Sequence, residues 1–338
     1  MGLGSGFPDA DLLPERLVRT AFARAARSRT ILTWPSAAGL PDLRAWFAAE
    51  LAAVTEPSAP APTAGDVIIF PGSQSGLSAA FRALVGPGEP LLIESPTYWG
   101  AILAAAQAGV QLVPIPRSPQ GPDPADVDRA FTQTGARAFY VQPHYANPHG
   151  ALWSASLHTQ VLTTVRRHGA FLIEDDWAHD FSIEGAPRPV AAQDEDGHVI
   201  YLRSLTKSVS PAVRVAAVIA RGPARQRLLH VAQSESIYVS AALQMVALDV
   251  VTQPAWRTHL RHLGPQLGAR RDLLVRSLSE HAPALELEHV PRGGLQLWAR
   301  LPGQADLAEV LRRLDQVGVS VVPGNEPFRP SRRHRICA

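Results

Sequence analysis

Short apolar runs alternate with amphipathic stretches through the middle of the chain. The runs VIIF, PLLIE, QLVPI, AFYVQ, AFLIEDD, VIYLRS and RVAAVIA predict strands, because they are short, apolar and rich in β-branched or aromatic residues. Between several of them lie helical patterns, in SGLSAAFRALV, WGAILAAAQAG and SLHTQVLTTVRRHG. Continuous apolar strands separated by helices predict an α/β fold with a mostly parallel sheet that helices cover on both faces.

The two ends of the chain carry different patterns. Before the first strand, Leu43, Phe47 and Leu51 follow helical spacing behind Asp42, which we expect to cap that helix. After the last strand, helical segments precede a strand–helix–strand pattern in GGLQLWARL, DLAEVLRRLDQVG and VSVVPG. These stretches predict a second, smaller α/β domain built from both chain ends.

This pattern divides the chain into three segments. We expect an N-terminal arm and part of the small domain in residues 1–40, a large domain in residues 41–247, and the C-terminal part of the small domain in residues 248–338.

Composition excludes several classes of protein. With 46% hydrophobic and 18% charged residues, the 338-residue chain has the balance of a globular protein, and a net charge of +2 favours no nucleic-acid partner. The N-terminus lacks the apolar core of a signal peptide, and the longest apolar run, Ile237 to Leu248, is too short to cross a membrane. Cys337 is the single cysteine, which fits a reducing compartment, so we expect a cytoplasmic protein.

Lysine usage points to chemistry. Of 32 basic residues, Lys207 is the single lysine, which leaves 32 − 1 = 31 arginines. Arginine replaces lysine in most surface roles but stays protonated, whereas a lysine amine can lose its proton and form a Schiff base. Lys207 is therefore either a chance survivor or a catalytic amine.

Polar residues follow the predicted strands, and in parallel sheets ligands bind at the carboxyl ends of strands. Gly72, Ser73 and Gln74 open a helix and form either a phosphate cradle or an ordinary cap. Tyr98 lies on a turn where its ring could cover a cofactor or simply pack. Asn147 is held extended by the following proline, which would present its amide.

The later strand ends carry charge. Asp175 could hold a proton on a pyridine nitrogen, unless Glu174, Asp175 and Asp176 form a solvated turn. Ser204, three residues before Lys207, and Arg214 are suited to grip a phosphate. His259 and His262 lack the further ligands that a zinc site requires, so no metal is expected.

The order GSQ, PTY, NPHG, EDDW, SLTK and SPAVR resembles the class I/II aminotransferase superfamily of fold-type-I pyridoxal-phosphate enzymes. It is most similar to aminoadipate-type aminotransferases and the aminotransferase-like domain of MocR-type regulators, and runs from GFPDADLLP to RICA. The resemblance implies a homodimer that binds pyridoxal 5′-phosphate. It further implies transfer of an amino group between an α-amino acid and a 2-keto acid through a Schiff base on Lys207.

The resemblance also implies residue roles. Lys207 would carry the cofactor, Asp175 would pair with its pyridine nitrogen, and Asn147 would bind its ring 3-oxygen. Tyr98 would stack on the pyridine ring of the cofactor. The phosphate ligands would be Ser73, Gln74, Ser204 and Arg214. Arg335 matches the arginine that binds the substrate α-carboxylate.

Three positions depart from the family pattern. Trp177 stands where relatives usually have a tyrosine near the ring 3-oxygen, and Trp34 where they send a tyrosine across the dimer to phosphate or substrate. The chain also stops at Ala338, where relatives continue into a closing helix.

These departures keep alternatives open. One is a degenerate family member without cofactor, and another is a lyase or decarboxylase on the same fold. The third is the effector part of a MocR-type regulator, which would need a DNA-reading domain upstream.

Overall fold

Two β-sheets organise the computed structural model, which describes residues 6–324 and the backbone of residues 335–337. The strands of the large sheet are β1 Val67–Phe70, β2 Pro90–Ser95, β3 Gln111–Ser118, β4 Gly121–Pro122, β5 Ala138–Val141, β6 Phe171–Asp176, β7 Val199–Ser204 and β8 Ala216–Ile219. Those of the small sheet are β9 Glu286–Leu287, β10 Trp298–Arg300, β11 Val322–Pro323 and β12 Arg335–Cys337.

The large sheet has the order β1-β8-β7-β6-β5-β2-β3-β4. The run from β7 to β3 is parallel, whereas β8 is antiparallel to both of its neighbours and β4 is antiparallel to β3. In the register, Ile173 of β6 lies opposite Tyr140 of β5 and Ile200 of β7. The mostly parallel sheet that the sequence predicts is therefore confirmed.

Helices surround the sheets. The α-helices of the described residues are α1 Glu15–Ala25, α2 Pro41–Ala52, α3 Ser73–Leu84, α4 Trp99–Ala108, α5 Pro124–Thr134, α6 Ala155–Arg167, α7 Gly222–Ser236, α8 Ala241–Thr252, α9 Pro254–His281 and α10 Leu307–Gln316. In the described part of the chain, no helix combines the length and the apolar character needed to cross a bilayer.

The core has one apolar cluster on each face of the large sheet. Along β5, Phe139 belongs to the cluster with Leu43 of α2, and Tyr140 belongs to the opposite cluster with Phe81 of α3. Because side chains alternate between the faces and both faces are covered, the strands are apolar throughout. This explains the uninterrupted apolar runs in the sequence.

The N-terminal segment contacts this core as well. Ala21 and Ala25 of α1 pack into the same cluster as Leu43 and Val246. The small sheet lies within the segment assigned to the C-terminal part of the small domain. The domain boundaries themselves stay a prediction.

One helix was not predicted, and one local expectation was wrong. Helix α5 was not predicted, although Asp123 caps it by accepting from the Ala125 amide at 2.8 Å and Gly135 ends it in the left-handed region. Asp42 is not the cap of α2, because Leu40 takes that position and Pro41 occupies the first turn, where a missing N–H costs nothing.

Removal of the Phe139 ring should test the core. Phe139 is fully buried, so Phe139→Ala should lower the free energy of unfolding by about 3–5 kcal/mol through lost burial and a residual cavity. Urea denaturation followed by circular dichroism measures the change. Val317→Ala, at a position that is 73% exposed, is the control and should shift it by less than about 0.5 kcal/mol. A similar small loss in Phe139→Ala would contradict this packing.

Candidate active site

A cavity of about 270 Å³ lies at the carboxyl edge of the parallel strands. The order of the strands brings together side chains that are far apart in sequence, as expected for such sheets. Nine of the predicted site residues line it, namely Ser73, Gln74, Tyr98, Asn147, Asp175, Trp177, Ser204, Lys207 and Arg214.

Asp175, near the end of β6, presents one carboxylate oxygen to this cavity region. Its Oδ2 accepts hydrogen bonds from the Tyr140 hydroxyl and the Gln142 amide, both at 2.8 Å. Its Oδ1 is buried and has no hydrogen-bond partner among the described residues. Burial raises the pKa of Asp175, and the hydrogen bonds from Gln142 and Tyr140 and the charge of Lys207 oppose that rise. The site therefore holds a carboxylate oriented by two donors, with one oxygen left over.

The neighbouring acids are not a solvated turn. Glu174 is fully buried and accepts from the backbone amides of Val190 and Ala191 at 2.9 and 2.8 Å, and burial raises its pKa to about 7. Asp176 is also buried. Its Oδ2 accepts from the Tyr201 hydroxyl at 2.6 Å and lies 2.7 Å from His179 Nδ1. The acids on both sides of Asp175 are thus buried in the protein interior.

Lys207 follows β7 and faces two aromatic rings. Its Nζ lies 4.1 Å from the ring centroid of Trp177 and 5.6 Å from that of Phe7. Burial lowers the pKa of Lys207 to about 8, while the Asp175 charge opposes the shift. Rings at these distances stabilise an ammonium, so they favour the protonated amine and, like Asp175, oppose the effect of burial on the Lys207 pKa. The sequence did not predict that Trp177 would present its ring to this amine.

Arg214 lies against the start of α3, and we call this region, with Gly72 and Ser73, the cradle. Gly72 precedes the helix with φ +89° and, as the N-cap residue, has no side chain that could accept from the amides of the first turn. A Cβ at Gly72 would lie 2.8 Å from the Arg214 guanidinium carbon, so only glycine permits this approach. Arg214 itself has φ +46°, a region that costs a non-glycine residue about 1–3 kcal/mol and that occurs often at functional sites.

Tyr98 closes the cavity beside this cradle. Its hydroxyl donates to Gln74 Oε1 at 3.2 Å, and Gln74 Nε2 donates to the Gly100 carbonyl at 2.7 Å. A Cβ on Gly100 would lie 2.4 Å from the Tyr98 ring. The Gln74 side chain therefore holds the tyrosine, and the Gln74 backbone amide remains at the helix start.

Gln142 is a site residue that the sequence analysis missed. Besides donating to Asp175, it accepts from the Asn147 backbone amide at 2.9 Å through its Oε1. It thereby connects the β6 end with the loop that carries Asn147. The signal was available, because Gln142 directly follows β5 at the same edge of the sheet.

Other cavity residues also escaped prediction. Phe7 lies in the N-terminal stretch on which the resemblance begins. The remaining walls are Gly6, Thr97, Trp99, Ile102, Pro148, Thr206, Gln296, Trp298, Val322, Pro323 and Gly324. Several of these belong to the small sheet, whose position no local pattern reveals.

Two predicted substrate residues lie elsewhere or outside the described side chains. Trp34 does not line this cavity. It is 81% exposed, and its ring centroid lies 5.3 Å from that of Tyr238. The Arg335 backbone pairs with Arg300 in the small sheet, but its side chain lies outside the described residues. Both roles stay predictions.

The fold and this cavity define an α/β protein in which a lysine, an aspartate and an arginine line one cavity at the carboxyl edge of the parallel strands. The chain belongs to the aminotransferase class I and II family, whose model matches residues 1–338.

Similar proteins include both groups that the sequence suggested. The chain is 29% identical over 277 residues to the Escherichia coli HTH-type transcriptional regulator YjiR. The matched region covers 81% of this chain and 58% of that protein. It is also 26% identical over 334 residues to the 2-aminoadipate transaminase of Thermus thermophilus. That match covers 97% of this chain and 81% of the enzyme. The chain thus spans less than two thirds of the regulator's length.

Solved structures share the fold. LysN, the α-aminoadipate aminotransferase of Thermus thermophilus, was solved in complex with N-(5′-phosphopyridoxyl)-L-leucine. It is 24% identical, with a TM-score of 0.89 over 99% of this chain and 86% of that one. The predicted fold class is confirmed.

The charge state of Lys207 can be measured without cofactor. Acylation by acetic anhydride requires the neutral amine, so labelling of Lys207, followed by peptide mass spectrometry, should rise with a midpoint at about pH 8. Because the Asp175 charge raises the Lys207 pKa, Asp175→Asn should move the midpoint to lower pH. The exposed Asp315→Asn is the control. A midpoint near the free value of about 10.4 would contradict the buried environment.

Proposed function

We propose that the protein is a pyridoxal-phosphate-dependent aminotransferase that moves an amino group between an α-amino acid and a 2-keto acid. The observation that carries the proposal is one cavity that contains the only lysine of the chain and a buried aspartate oxygen without a partner among the described residues. Family membership supports it. A buried acceptor without a partner, in the same cavity as an amine of lowered pKa, is a combination typical of functional sites.

The donor set fits the cofactor. Asp175 Oδ1 is an acceptor that a protonated pyridine nitrogen would satisfy. The free amides at the start of α3, together with Arg214, suit a phosphate dianion, because helix N-termini and guanidinium groups both favour anions. Tyr98 offers a ring face held by Gln74, and Asn147 lies beside Gln142 for the ring 3-oxygen. Ser73 and Ser204 complete the cradle, and Lys207 would hold the cofactor.

When bound, pyridoxal 5′-phosphate supplies an electron sink that weakens the bonds at the substrate α-carbon. Asp175 would keep a proton on the ring nitrogen, because its charge lies in a low-dielectric site. The Lys207 amine, whose pKa burial lowers to about 8, would take the proton from the substrate α-carbon and deliver it to the cofactor, as general acid–base catalysis requires. An arginine at position 207 could neither accept nor deliver this proton, because its guanidinium stays protonated.

Substrate binding and assembly are part of the same proposal. Arg335 and Asn147 would bind the α-carboxylate, and Trp34 would serve the site of a partner subunit in a homodimer. Exposed apolar side chains support such an interface, including Trp34 and Leu32, both 81% exposed, and Trp99, 62% exposed. The cytoplasmic location stays a prediction.

A regulator is the second candidate. The similarity to YjiR favours a cofactor-binding effector part of a MocR-type regulator. DNA retardation by the full-length gene product, with and without pyridoxal phosphate, separates the two functions. Specific retardation would support the regulator. Amino transfer to a keto acid without DNA binding would support the enzyme. The same transfer also separates an aminotransferase from a lyase or decarboxylase.

Replacement of the lysine tests the proposal directly. Lys207→Arg should abolish amino transfer and the visible band that forms with pyridoxal phosphate, while circular dichroism stays unchanged. Borohydride reduction should add the cofactor mass to the wild-type peptide that contains residue 207 and not to the variant peptide. Arg313→Lys, on the exposed face of α10, is the matched control. Substantial transamination by Lys207→Arg would refute the mechanism.

The hydroxyl of Tyr140 should set the acid limit of activity. Its hydrogen bond lowers the Asp175 pKa, so Tyr140→Phe should raise that pKa and protonate Asp175 at higher pH. A hydrogen bond to a charged group contributes about 1.5–3 kcal/mol, which corresponds to a shift of about one to two pH units in the acid limb of kcat/KM. Tyr238→Phe is the control. An unmoved acid limb would mean that Tyr140 does not act on Asp175.

A further inference from the structure

The loop that carries Asn147 is covered by a segment from the C-terminal part of the chain. The loop comprises residues 145–150, and we call it the Asn147 loop. The covering segment comprises residues 288–294, between β9 and β10, and we call it the strap. A Cβ placed on Gly150 would lie 2.6 Å from Pro291 Cγ, so the strap lies directly against the end of the loop.

Tyr145 shows that the strap also contacts the start of the loop. A Cβ placed on Gly293 would lie 2.4 Å from the Tyr145 ring, and the Tyr145 hydroxyl lies 2.8 Å from Ser182 Oγ. Tyr145 has φ +51°, a conformation that a non-glycine residue keeps only where its surroundings hold it. The packing around the ring therefore constrains the backbone of the loop.

His149 makes the polar contact between the Asn147 loop and the strap. Its Nε2 lies 2.6 Å from Glu288 Oε2 and donates, because a carboxylate can only accept. Arg300 donates to the other Glu288 oxygen at 3.1 Å, which favours the ionised carboxylate. The imidazole is buried, and its Nδ1 has no hydrogen-bond partner among the described residues. Within the described part of the chain, the bond to Glu288 is thus the hydrogen bond that holds this ring.

The imidazole does not need a charge to make this bond. Burial lowers the pKa of His149, the hydrogen bond to Glu288 opposes the shift, and the charge of Arg117 adds to it. The ring of His289, whose centroid lies 5.0 Å from that of His149, also lowers the pKa. A neutral ring at neutral pH still carries one N–H, which the short contact places on Nε2.

The Asn147 loop is held from the cavity side as well. The Asn147 backbone amide donates to Gln142 Oε1 at 2.9 Å, and Gln142 also donates to Asp175. Asn147 and Pro148 line the cavity, and His149 follows them directly. A displacement of the His149 ring would therefore move the backbone that carries the Asn147 side chain.

We propose that His149 is a positioning residue, which connects the Asn147 loop to the strap and thereby sets where the Asn147 side chain lies in the cavity. The strap leads into β10, whose Trp298 lines the same cavity, so the small sheet and the Asn147 loop keep a fixed relation. The bond itself concerns two segments of the fold. Its effect on pyridoxal phosphate rests on the proposed function.

Hydrogen exchange of the full-length protein, before cofactor is added, tests the bond. His149→Leu removes the donor, so the amides of the Asn147 loop and of the strap should both exchange about 5-fold faster. His149→Gln should restore the wild-type rates, because its carboxamide N–H can reach the position of Nε2. His149→Asn, which is too short to reach Glu288, should behave like the leucine variant and replaces it if that variant does not fold.

Binding of pyridoxal phosphate tests the link to Asn147. With Kd read from the visible band, His149→Leu should raise it about 5- to 10-fold, as loss of about one hydrogen bond would give. In the Asn147→Ala background the same replacement should change Kd by less than about 2-fold, because the side chain that it positions is gone. His230→Leu, at an exposed position on α7, is the matched control for both measurements.

The outcomes separate the two proposals. Unchanged exchange in the leucine and asparagine variants, or a glutamine variant that exchanges as fast as the leucine variant, would overturn the role of the bond. An equal loss of cofactor affinity with and without the Asn147 side chain would overturn the positioning role while leaving the aminotransferase proposal intact. A wild-type protein that forms no visible band with pyridoxal phosphate would overturn the proposed function and the cofactor effect, whereas the exchange rates still decide whether the bond holds the loop.

Discussion

A negative charge buried beneath the cavity is the constraint on which the site depends. An ionised carboxylate in the protein interior is stable only when donors and opposite charge replace its water. Tyr140 and Gln142 supply two donors to the same oxygen of Asp175, and Lys207 supplies the charge. Since both donors come from β5 or the residue after it, the pairing of β5 with β6 directly sets the orientation of the carboxylate.

The same constraint explains why some site residues could be predicted and others could not. Lys207 and Asp175 carry chemistry at strand ends, and strand ends are readable from a local apolar pattern. Tyr140 looks like one more apolar strand residue, because only the register with β6 puts its hydroxyl beside Asp175. Gln296 and Phe7 belong to segments whose positions depend on how the two chain ends pack, which no local pattern encodes.

The acidic stretch shows the limit most clearly. From the sequence, EDD fitted a solvated turn as well as a buried site. Other segments of the chain determine that the acids are buried. Tyr201 and His179 contact the Asp176 carboxylate, and the Val190 backbone amide donates to Glu174. Helix α5 was missed although its local signals were present: Asp123 caps its start, Gly135 ends it, and the buried residues Val127, Ala130 and Phe131 follow helical spacing. For the region of the small sheet, the sequence predicted a strand–helix–strand pattern but not the lengths of the strands.

The connection between β7 and β8 has a consequence for how the sequence can vary. Lys207 and Arg214 both lie in it, and β8 returns antiparallel beside β7, with the Leu205 amide donating to the Val215 carbonyl at 3.0 Å. One hydrogen-bonded loop therefore carries the amine and the guanidinium together. Insertions or deletions between these two residues would change the spacing of both attachments at once, so the length of this loop should tolerate less variation than its composition.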